Sequence, residues 1–148
     1  MSVTITRPTE EDRPGWRRLY DLYAEFYRMP MDDTIAGRVW NWLDDPSHPV
    51  KGLVAKTPDG KVVGFTHFRP MPSPLRGVDL CFLDDLFVLP EVRGTRLGEA
   101  LIQAVVDEAK RQGWPAVRWI TAEDNVRARR LYDRVAKKTH WATYEVKA

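Results

Sequence analysis

The feature that most limits the possible folds is a long strand-like run that ends in a glycine-containing turn and leads into an amphipathic helix. The strand-like residues span Asp79 to Leu89, and the turn follows at Arg93-Gly94. From Leu97 to Gln112 the apolar residues recur at helical spacing, and Gly113 then ends the helix. A strand followed by a packed helix is a unit of α/β architecture, so this junction predicts a sheet covered by helices.

Hydrophobic periodicity predicts the remaining elements. Strands are expected at Val3 to Arg7, Gly52 to Lys56, Val62 to Phe68, Ala116 to Thr121 and Trp141 to Val146. Helices are expected from Thr9 to about Arg28, from about Ile35 to Asp44, and from Asn125 to Val135. The predicted order is β-α-α-β-β-β-α-β-α-β. We therefore predict an α/β (α+β) fold, in which about four helices flank a central sheet of about six to seven strands.

Turn residues indicate how these strands pair. Pro58-Asp59-Gly60 separates two strand-like runs and predicts a tight turn between antiparallel strands. The last predicted strands are joined through helices, which favours a parallel pair, so the sheet should be mixed. Three prolines between Pro70 and Pro74 predict a loop over Met71 to Gly77.

Size and charge limit the function classes. A chain of 148 residues, 43% hydrophobic and 30% charged, fits one globular domain over residues 1–148. The 23 basic and 21 acidic residues give a net charge of +2, which argues against nucleic acid as the partner. The lone Cys81 and three scattered histidines predict neither an internal disulfide nor a metal site. Without a membrane span, or a signal-peptide core in Met1 to Arg7, we expect a cytoplasmic protein.

The turn between the long strand and its helix is suited to bind phosphate. The first turn of a helix has unsatisfied N–H groups and a partial positive charge, and nearby glycines let an anion approach the backbone. Neither a Walker-type loop nor a G-x-G-x-x-G after the first strand is present. Taken alone, Gly94 and Gly98 are explained equally well by a tight turn with no ligand.

A second run, Trp119 to Tyr132, resolves this ambiguity. Asn125 begins a helix there, and Tyr132 follows close to two turns later on nearly the same face. Together with Val88 to Gly94, this run resembles the GCN5-related N-acetyltransferase (GNAT) superfamily, whose element order also matches nearly the whole chain. Leu83 to Val88 is similar to diamine and thialysine acetyltransferases, and the residues after Tyr132 resemble the yeast histone and polyamine acetyltransferase type.

The resemblance implies that acetyl-coenzyme A is the cosubstrate and that no metal is needed. The family's pyrophosphate motif, Q/R-x-x-G-x-G/A, falls on Arg93 to Gly98, with Arg96 in place of the middle glycine. A non-glycine residue there still offers its N–H when its φ is helical. The implied coenzyme-binding residues are Leu86, Phe87, Val88, Arg93, Gly94, Thr95, Arg96, Leu97, Gly98, Glu99, Asn125, Arg130 and Tyr132.

The same resemblance implies the catalytic roles. Tyr132 would be the general acid that protonates the departing thiolate, and Asp84 would be the base, acting through water. Asp84 and Asp85 are neighbours on a strand and so should point to opposite faces. Tyr23, Tyr27, Asp84 and Asp85 would contact the substrate. The alternatives from residue type alone are an aromatic core role for Tyr132 and a solvated strand position for Asp85.

The expected reaction is acetyl transfer to the primary amine of a small cationic acceptor, either a polyamine or a lysine-like amino acid. Two alternatives stay open: acetylation of a peptide or protein lysine, and a non-catalytic sensor that binds acyl-coenzyme A. A basic cluster on the last helix fits coenzyme phosphates better than nucleic acid; it comprises Arg127, Arg129, Arg130, Arg134, Lys137 and Lys138. Relatives of this kind also imply a homodimer.

Overall fold

A mixed five-stranded sheet with four α-helices forms the fold in this computed structural model, which describes residues 2–148. The strands lie in chain order across the sheet, from β1 at one edge to β5 at the other. The elements are β1 (Thr4–Thr6), α1 (Arg13–Phe26), α2 (Asp33–Asp44), β2 (Lys51–Lys56), β3 (Val62–Ser73), β4 (Val78–Val88), α3 (Leu97–Gln112), β5 (Val117–Arg118) and α4 (Val126–Val135). Short 3-10 turns precede α1 and α3.

The helices begin and end where local side chains favour it. Before α1, Asp12 accepts a hydrogen bond of 2.8 Å from the backbone N–H of Thr9, as the Thr9 cap predicts. The Asp32 carboxylate caps α2 by accepting from the N–H of Ile35 at 2.8 Å. Gly113 ends α3 with a φ of 79°, a left-handed conformation that glycine adopts without strain. Among residues 2–148, no helix has both the length and the apolar composition that crossing a membrane requires.

Two apolar clusters hold the helices against the sheet. The first joins α1 and α2 to the sheet, with Trp16, Trp40 and Phe65 at most 3% exposed. The second joins α3 to β4, with Cys81 and Val105 fully buried. These contacts fix α1 and α3 relative to β4, the strand that carries five of the predicted site residues, Asp84 to Val88.

Strand β3 continues through residues for which the prolines predict a loop. It runs to Ser73, and Pro70 and Pro72 pair with Cys81 and Asp79 of β4. The pairing of β3 with β2 ends at Phe68, so the other edge of β3 carries no strand beyond that point. Alternate residues direct their backbone groups to the same edge, and both prolines can turn their missing N–H toward the open side. The loop prediction over Met71 to Gly77 was therefore wrong for its first three residues.

The predicted final strand is absent from the part of the chain that the structure describes. Residues 141–146 carry no regular secondary structure and are exposed, and the sheet has five strands rather than six to seven. The neighbouring edge explains this, because β5 is only two residues long and offers a short ladder for another strand. The rest of the predicted order agrees with the structure, including the antiparallel β2–β3 hairpin and the parallel β4–β5 pair.

Candidate active site

The larger of two cavities along β4 lies where the end of this strand meets the start of α3. It has a volume of about 490 Å³. Its walls come from α1, β4, the β4–α3 turn, α3 and α4, in the form of Tyr23, Phe26, Tyr27, Leu86, Phe87, Val88, Val92, Arg93, Gly94, Arg96, Leu97, Gly98, Glu99, Asn125, Arg127, Ala128, Arg130, Leu131, Tyr132 and Arg134. The cavity therefore brings together all the predicted site residues except Thr95, Asp84 and Asp85.

The β4–α3 turn leaves room for a ligand at the helix start. Gly94 has a φ of 91°, a conformation that side chains disfavour. A Cβ on Gly98 would lie 3.1 Å from Cδ2 of Leu131, so a side chain there would crowd α4. The Thr95 hydroxyl instead donates to the backbone carbonyl of Val92 at 2.6 Å. Thr95 thus closes the turn and is not among the side chains that line the cavity.

Arg96 adopts a left-handed backbone conformation rather than the helical one considered from the sequence. Its φ is 64°, in the left-handed region, and it is the residue directly before α3. The family motif has a glycine at this position, and the left-handed backbone explains why a glycine is suited to it. Arg96 keeps this turn at a cost in backbone strain, and its guanidinium adds charge to the cavity wall.

Positive charge dominates the polar part of the cavity. Five arginines line it, namely Arg93, Arg96, Arg127, Arg130 and Arg134. Burial and the neighbouring Arg127 lower the pKa of Arg93, which reflects the concentration of positive charge at this site. Glu99 is the acid on this wall, and it accepts from Arg96 and from Arg134 at 3.4 Å each. The remaining excess of positive charge suits an anion such as a pyrophosphate.

Strand β4 presents unpaired backbone to the same cavity. Its parallel pairing with β5 covers only Cys81 and Phe82. From residue 83 to residue 88, no strand among the described residues pairs with that edge of β4. Leu86, Phe87 and Val88 line the cavity there. Alternate residues of this stretch direct their N–H and C=O groups to the open edge, where they can bind an amide-containing chain in the manner of an added strand.

Two residues of the last helix reach the cavity from the opposite side. Asn125 caps α4 by accepting from the N–H of Ala128 at 3.4 Å, and Tyr132 lies further along the same helix. Burial, and next the neighbouring Tyr27, raise the pKa of Tyr132 to about 12. The phenol is therefore protonated at neutral pH and can act as a proton donor inside the cavity.

A β-bulge places both neighbouring acids on one face. In the β3–β4 register His67 pairs with Asp85 and Phe68 with Leu83, so Asp84 has no partner. Both carboxylates line a second cavity of about 310 Å³, whose wall is formed by Tyr20, Val39, Trp42, Val50, His67, Arg69, Asp84 and Asp85. The expectation that the two acids point to opposite faces was wrong, because a bulge breaks the alternation of a regular strand.

Asp85 is held by a buried chain of hydrogen bonds. The indole N–H of Trp16 donates to Nε2 of His67 at 3.0 Å. Nε2 must then be the unprotonated nitrogen, and Nδ1–H donates to Oδ2 of Asp85 at 2.8 Å. Burial by itself would raise the pKa of Asp85, but the His67 contact lowers it overall. Asp85 is therefore a fixed, ionised carboxylate rather than a solvated strand residue.

Asp84 has a different environment from its neighbour. Nε of Arg69 donates to both of its oxygens, at 3.2 Å and 3.0 Å. Burial raises the pKa of Asp84, and the opposing effect of Arg69 does not cancel this. The two carboxylates on one wall thus differ, with the pKa raised for Asp84 and lowered for Asp85. Such a pair is suited to separate roles in proton transfer and in charge binding.

Sequence reasoning missed most of the second cavity. The sequence patterns assign no functional role to His67, Tyr20, Trp42 or Arg69. The signal that would have found His67 is its register with Asp85, which depends on the bulge and cannot be read from spacing. Asp84 and Asp85 are the acids that line this second cavity, whereas Asp32, Asp33, Asp44, Asp45 and Asp79 line neither cavity.

Cys81 is a core residue of the sheet. Cys81 is fully buried, and burial, followed by Asp84, raises its pKa to about 12. Its thiol is thus protonated at neutral pH, as expected for a structural strand residue. Residues 2–148 hold no group of three His, Cys, Asp or Glu side chains placed to bind a metal ion.

Comparison with protein families identifies this arrangement. The model of the acetyltransferase (GNAT) family matches residues 16–136, which include both cavities' catalytic and binding candidates. The chain belongs to the GNAT family. It is an acetyltransferase whose β4–α3 turn and α4 carry the motifs from which the resemblance was first inferred.

Relatives and solved structures agree with this assignment. A D-amino-acid N-acetyltransferase of Saccharomyces cerevisiae is 30% identical over 144 residues, which cover 97% of this chain and 89% of that protein. A ribosomal-protein-alanine N-acetyltransferase of Brucella melitensis superposes with a TM-score of 0.80 at 25% identity, covering 99% of this chain and 100% of the other. The aminoglycoside N-acetyltransferase AAC(6')-Iy, solved with a bisubstrate analogue of coenzyme A, superposes with a TM-score of 0.83 at 19% identity, covering 100% and 99% of the two chains.

Proposed function

We propose that this GNAT acetyltransferase moves an acetyl group from acetyl-coenzyme A to the primary amine of a small cationic acceptor, a polyamine or a lysine-like amino acid. The observation that carries the proposal is the pair of cavities along β4 and α1. One contains five arginines and an open strand edge, and the next contains two carboxylates. An anionic donor and a cationic acceptor would thus bind side by side.

The larger cavity suits coenzyme A in size, charge and backbone chemistry. The α3 N-terminus and the surrounding arginines would hold the pyrophosphate, with Gly94 and Gly98 leaving space for it. Arg127, Arg130 and Arg134 are available for the remaining phosphate. The open edge at Leu86, Phe87 and Val88 would hold the pantetheine amides, with Asn125 facing them from α4.

We propose two proton-transferring residues, one in each cavity. Acetyl-coenzyme A supplies a thioester, whose carbonyl carbon bonds to the amine nitrogen while the carbon–sulfur bond breaks. Tyr132 would donate its phenolic proton to the departing thiolate, and the proton that the nitrogen loses on becoming an amide would return to the phenolate. Asp84 would accept the proton that the ammonium must lose, through water, and its raised pKa favours that role. Asp85 would bind the ammonium as a fixed carboxylate.

The size of the second cavity favours a small acceptor. About 310 Å³ accommodates an amine of amino-acid size, and aromatic residues Tyr20 and Trp42 form part of its wall. The yeast relative is named for a small acceptor, D-amino acids. A peptide lysine and a sensor without turnover are the alternatives that the experiment below must separate.

We also propose that the protein forms a homodimer. Support comes from apolar side chains exposed in the C-terminal segment, where Trp141, Tyr144 and Val146 are 60%, 93% and 90% exposed. Exposed apolar side chains in one segment are typical of a contact surface. Light scattering should give twice the chain mass of 17.1 kDa. A monomer at every concentration tested would contradict the dimer.

An acetylation screen tests the function itself. Free thiol released from acetyl-coenzyme A is measured with polyamines, free amino acids, aminoglycosides and lysine peptides, and mass spectrometry identifies the product. The proposal predicts thiol release that depends on a small amine and an N-acetylated product. Turnover restricted to peptides would favour the protein-lysine alternative, and coenzyme binding without turnover would favour the sensor.

A further inference from the structure

Arg69 is held rigidly at the wall of the second cavity, which is the proposed acceptor cavity. It lies on β3, opposite Phe82 of β4, and its Cζ is 5.0 Å from the centre of the Phe82 ring. Its Nε donates to both oxygens of Asp84. An aromatic face on one side and a carboxylate at Nε fix the plane of the guanidinium before any ligand binds.

The far end of this guanidinium is free to bind a ligand. Among residues 2–148, no group accepts a hydrogen bond from Nη1 or Nη2 of Arg69. The side chain is 38% exposed and lines the 310 Å³ cavity. Two parallel N–H groups at the end of a fixed guanidinium match the two oxygens of a carboxylate. A preorganised contact of this kind loses little side-chain entropy when the ligand binds.

The charges around this cavity distinguish between acceptor classes. Its wall carries the carboxylates of Asp84 and Asp85 and the cation of Arg69, while His67 is neutral in the tautomer that Trp16 imposes. A diamine would bring two positive charges and place one of them near Arg69, where like charges repel. A molecule with one ammonium and one carboxylate would satisfy Asp85 and the free end of Arg69 together.

We propose that Arg69 binds the carboxylate of the acceptor, so that the acceptor is an amino acid with a free carboxylate rather than a polyamine. The proposal rests on the acetyltransferase function and narrows its acceptor class. Arg69 is then a specificity-determining residue, and Asp84 has the additional role of orienting its guanidinium.

Amino acids and their decarboxylated counterparts test this proposal. Lysine and cadaverine differ only in the carboxylate, as do ornithine and putrescine, and each amino acid is tested in its D and L forms. The wild-type protein should acetylate at least one amino acid with a higher kcat/KM than its decarboxylated partner. The Arg69→Gln variant should lower kcat/KM for that amino acid by about 10- to 100-fold, the loss expected for a hydrogen bond to a charged group. It should lower kcat/KM for the amine without the carboxylate by a smaller factor, because that amine loses only the effect of Arg69 on Asp84.

Controls separate specificity from folding. Arg76→Gln removes an exposed arginine of the β3–β4 loop and should leave kcat/KM unchanged for both substrates of a pair. Arg69→Lys keeps the positive charge but loses the two parallel hydrogen bonds to the carboxylate. Its kcat/KM for the amino acid should therefore lie between those of wild type and Arg69→Gln. Thermal unfolding and coenzyme A titration check that each variant is folded. Should Arg69→Gln fail to fold, Arg69→Lys and the wild-type substrate pairs still decide the question.

Two results would overturn the proposal while leaving the acetyltransferase function intact. One is wild-type turnover of cadaverine or putrescine that equals or exceeds that of every amino acid. The other is an equal loss for both members of a pair in Arg69→Gln. No turnover with any amine would instead refute the proposed function, and the inference about Arg69 with it.

Discussion

Nδ1 of His67 lies 2.8 Å from Oδ2 of Asp85, in a cross-strand pair of β3 and β4. The indole of Trp16 fixes the imidazole tautomer, so His67 can only donate to the carboxylate. One hydrogen-bonded chain thereby joins α1, the centre of the sheet and the second cavity. The His67 contact lowers the pKa of Asp85 and so keeps its carboxylate charged at neutral pH.

Replacing His67 should therefore change how stability depends on pH. Burial raises the pKa of Asp85, and the His67 contact lowers it overall. The wild-type contribution is present above the unfolded pKa of about 3.9 and is lost as pH falls through the lower folded value. His67→Leu leaves burial unopposed, so the pKa of Asp85 should rise and the protein should lose stability at neutral pH.

Asparagine at the same position provides the matched comparison. Its amide N–H can replace the Nδ1–H donor, so His67→Asn should recover part of the stability that His67→Leu loses. Thermal unfolding measured from acidic to neutral pH checks both variants. Equal unfolding temperatures for the two variants at every pH would contradict a specific role for the donated hydrogen bond.

Removing the proposed base should affect turnover in a pH-dependent way. Asp84→Asn should lower kcat most at acidic and neutral pH, where a lysine-like amine with a pKa of about 10.4 is almost fully protonated. The deficit should shrink as the pH approaches that value, because the amine then loses its proton without assistance. A pH profile of kcat for wild type and variant is the measurement. A deficit that stays constant across the profile would assign Asp84 to binding alone.

The proposed acid makes a separate prediction. Tyr132→Phe removes the proton donor but keeps the ring that contacts Trp119 in the second cluster. The variant should lower kcat by about 10²- to 10⁴-fold. Calorimetric titration should show nearly unchanged coenzyme A affinity. Tyr144→Phe, at a position 93% exposed, is the control and should behave as wild type. An unchanged kcat in Tyr132→Phe would remove Tyr132 from the mechanism.

Stability measurements can test the backbone conformation of the β4–α3 turn. Arg96 has a φ of 64° and Gly94 a φ of 91°, so glycine is favoured at both positions. Arg96→Gly should stabilise the protein by about 0.5–1 kcal/mol, because relief of left-handed strain exceeds the added freedom of the unfolded chain. Gly94→Ala should destabilise it by about 1 kcal/mol or more. Chemical denaturation measures both, and a destabilised Arg96→Gly would show that the arginine side chain outweighs the strain.

Local patterns predicted most of the fold and the larger cavity. Helical spacing predicted the bounds of α3 as the structure has them. The spacing of Asn125 and Tyr132 predicted that both lie on nearly the same face of a helix, and both line the larger cavity. These features depend on residues close in sequence, where periodicity and capping are informative. The resemblance to the family motif then predicted the ligand, acetyl-coenzyme A.

Features that depend on strand pairing could not be predicted in this way. The prolines at 70 and 72 look like loop residues until the open edge of β3 is known. The bulge at Asp84 turns two acids to one side, and it also brings His67 to Asp85. Arg69 becomes notable only once its contacts with Asp84 and Phe82 are visible. Each of these relationships joins residues of different strands, about which spacing along the chain says nothing.

The central claim is that the two cavities along β4 bind donor and acceptor for direct acetyl transfer. The most direct measurement is amine-dependent release of free thiol from acetyl-coenzyme A by the wild-type protein, with the product identified by mass spectrometry. We predict thiol release and N-acetylated product in equal amounts when a small amine is present. Tight binding of coenzyme A with no acetylated product from any amine would contradict the claim.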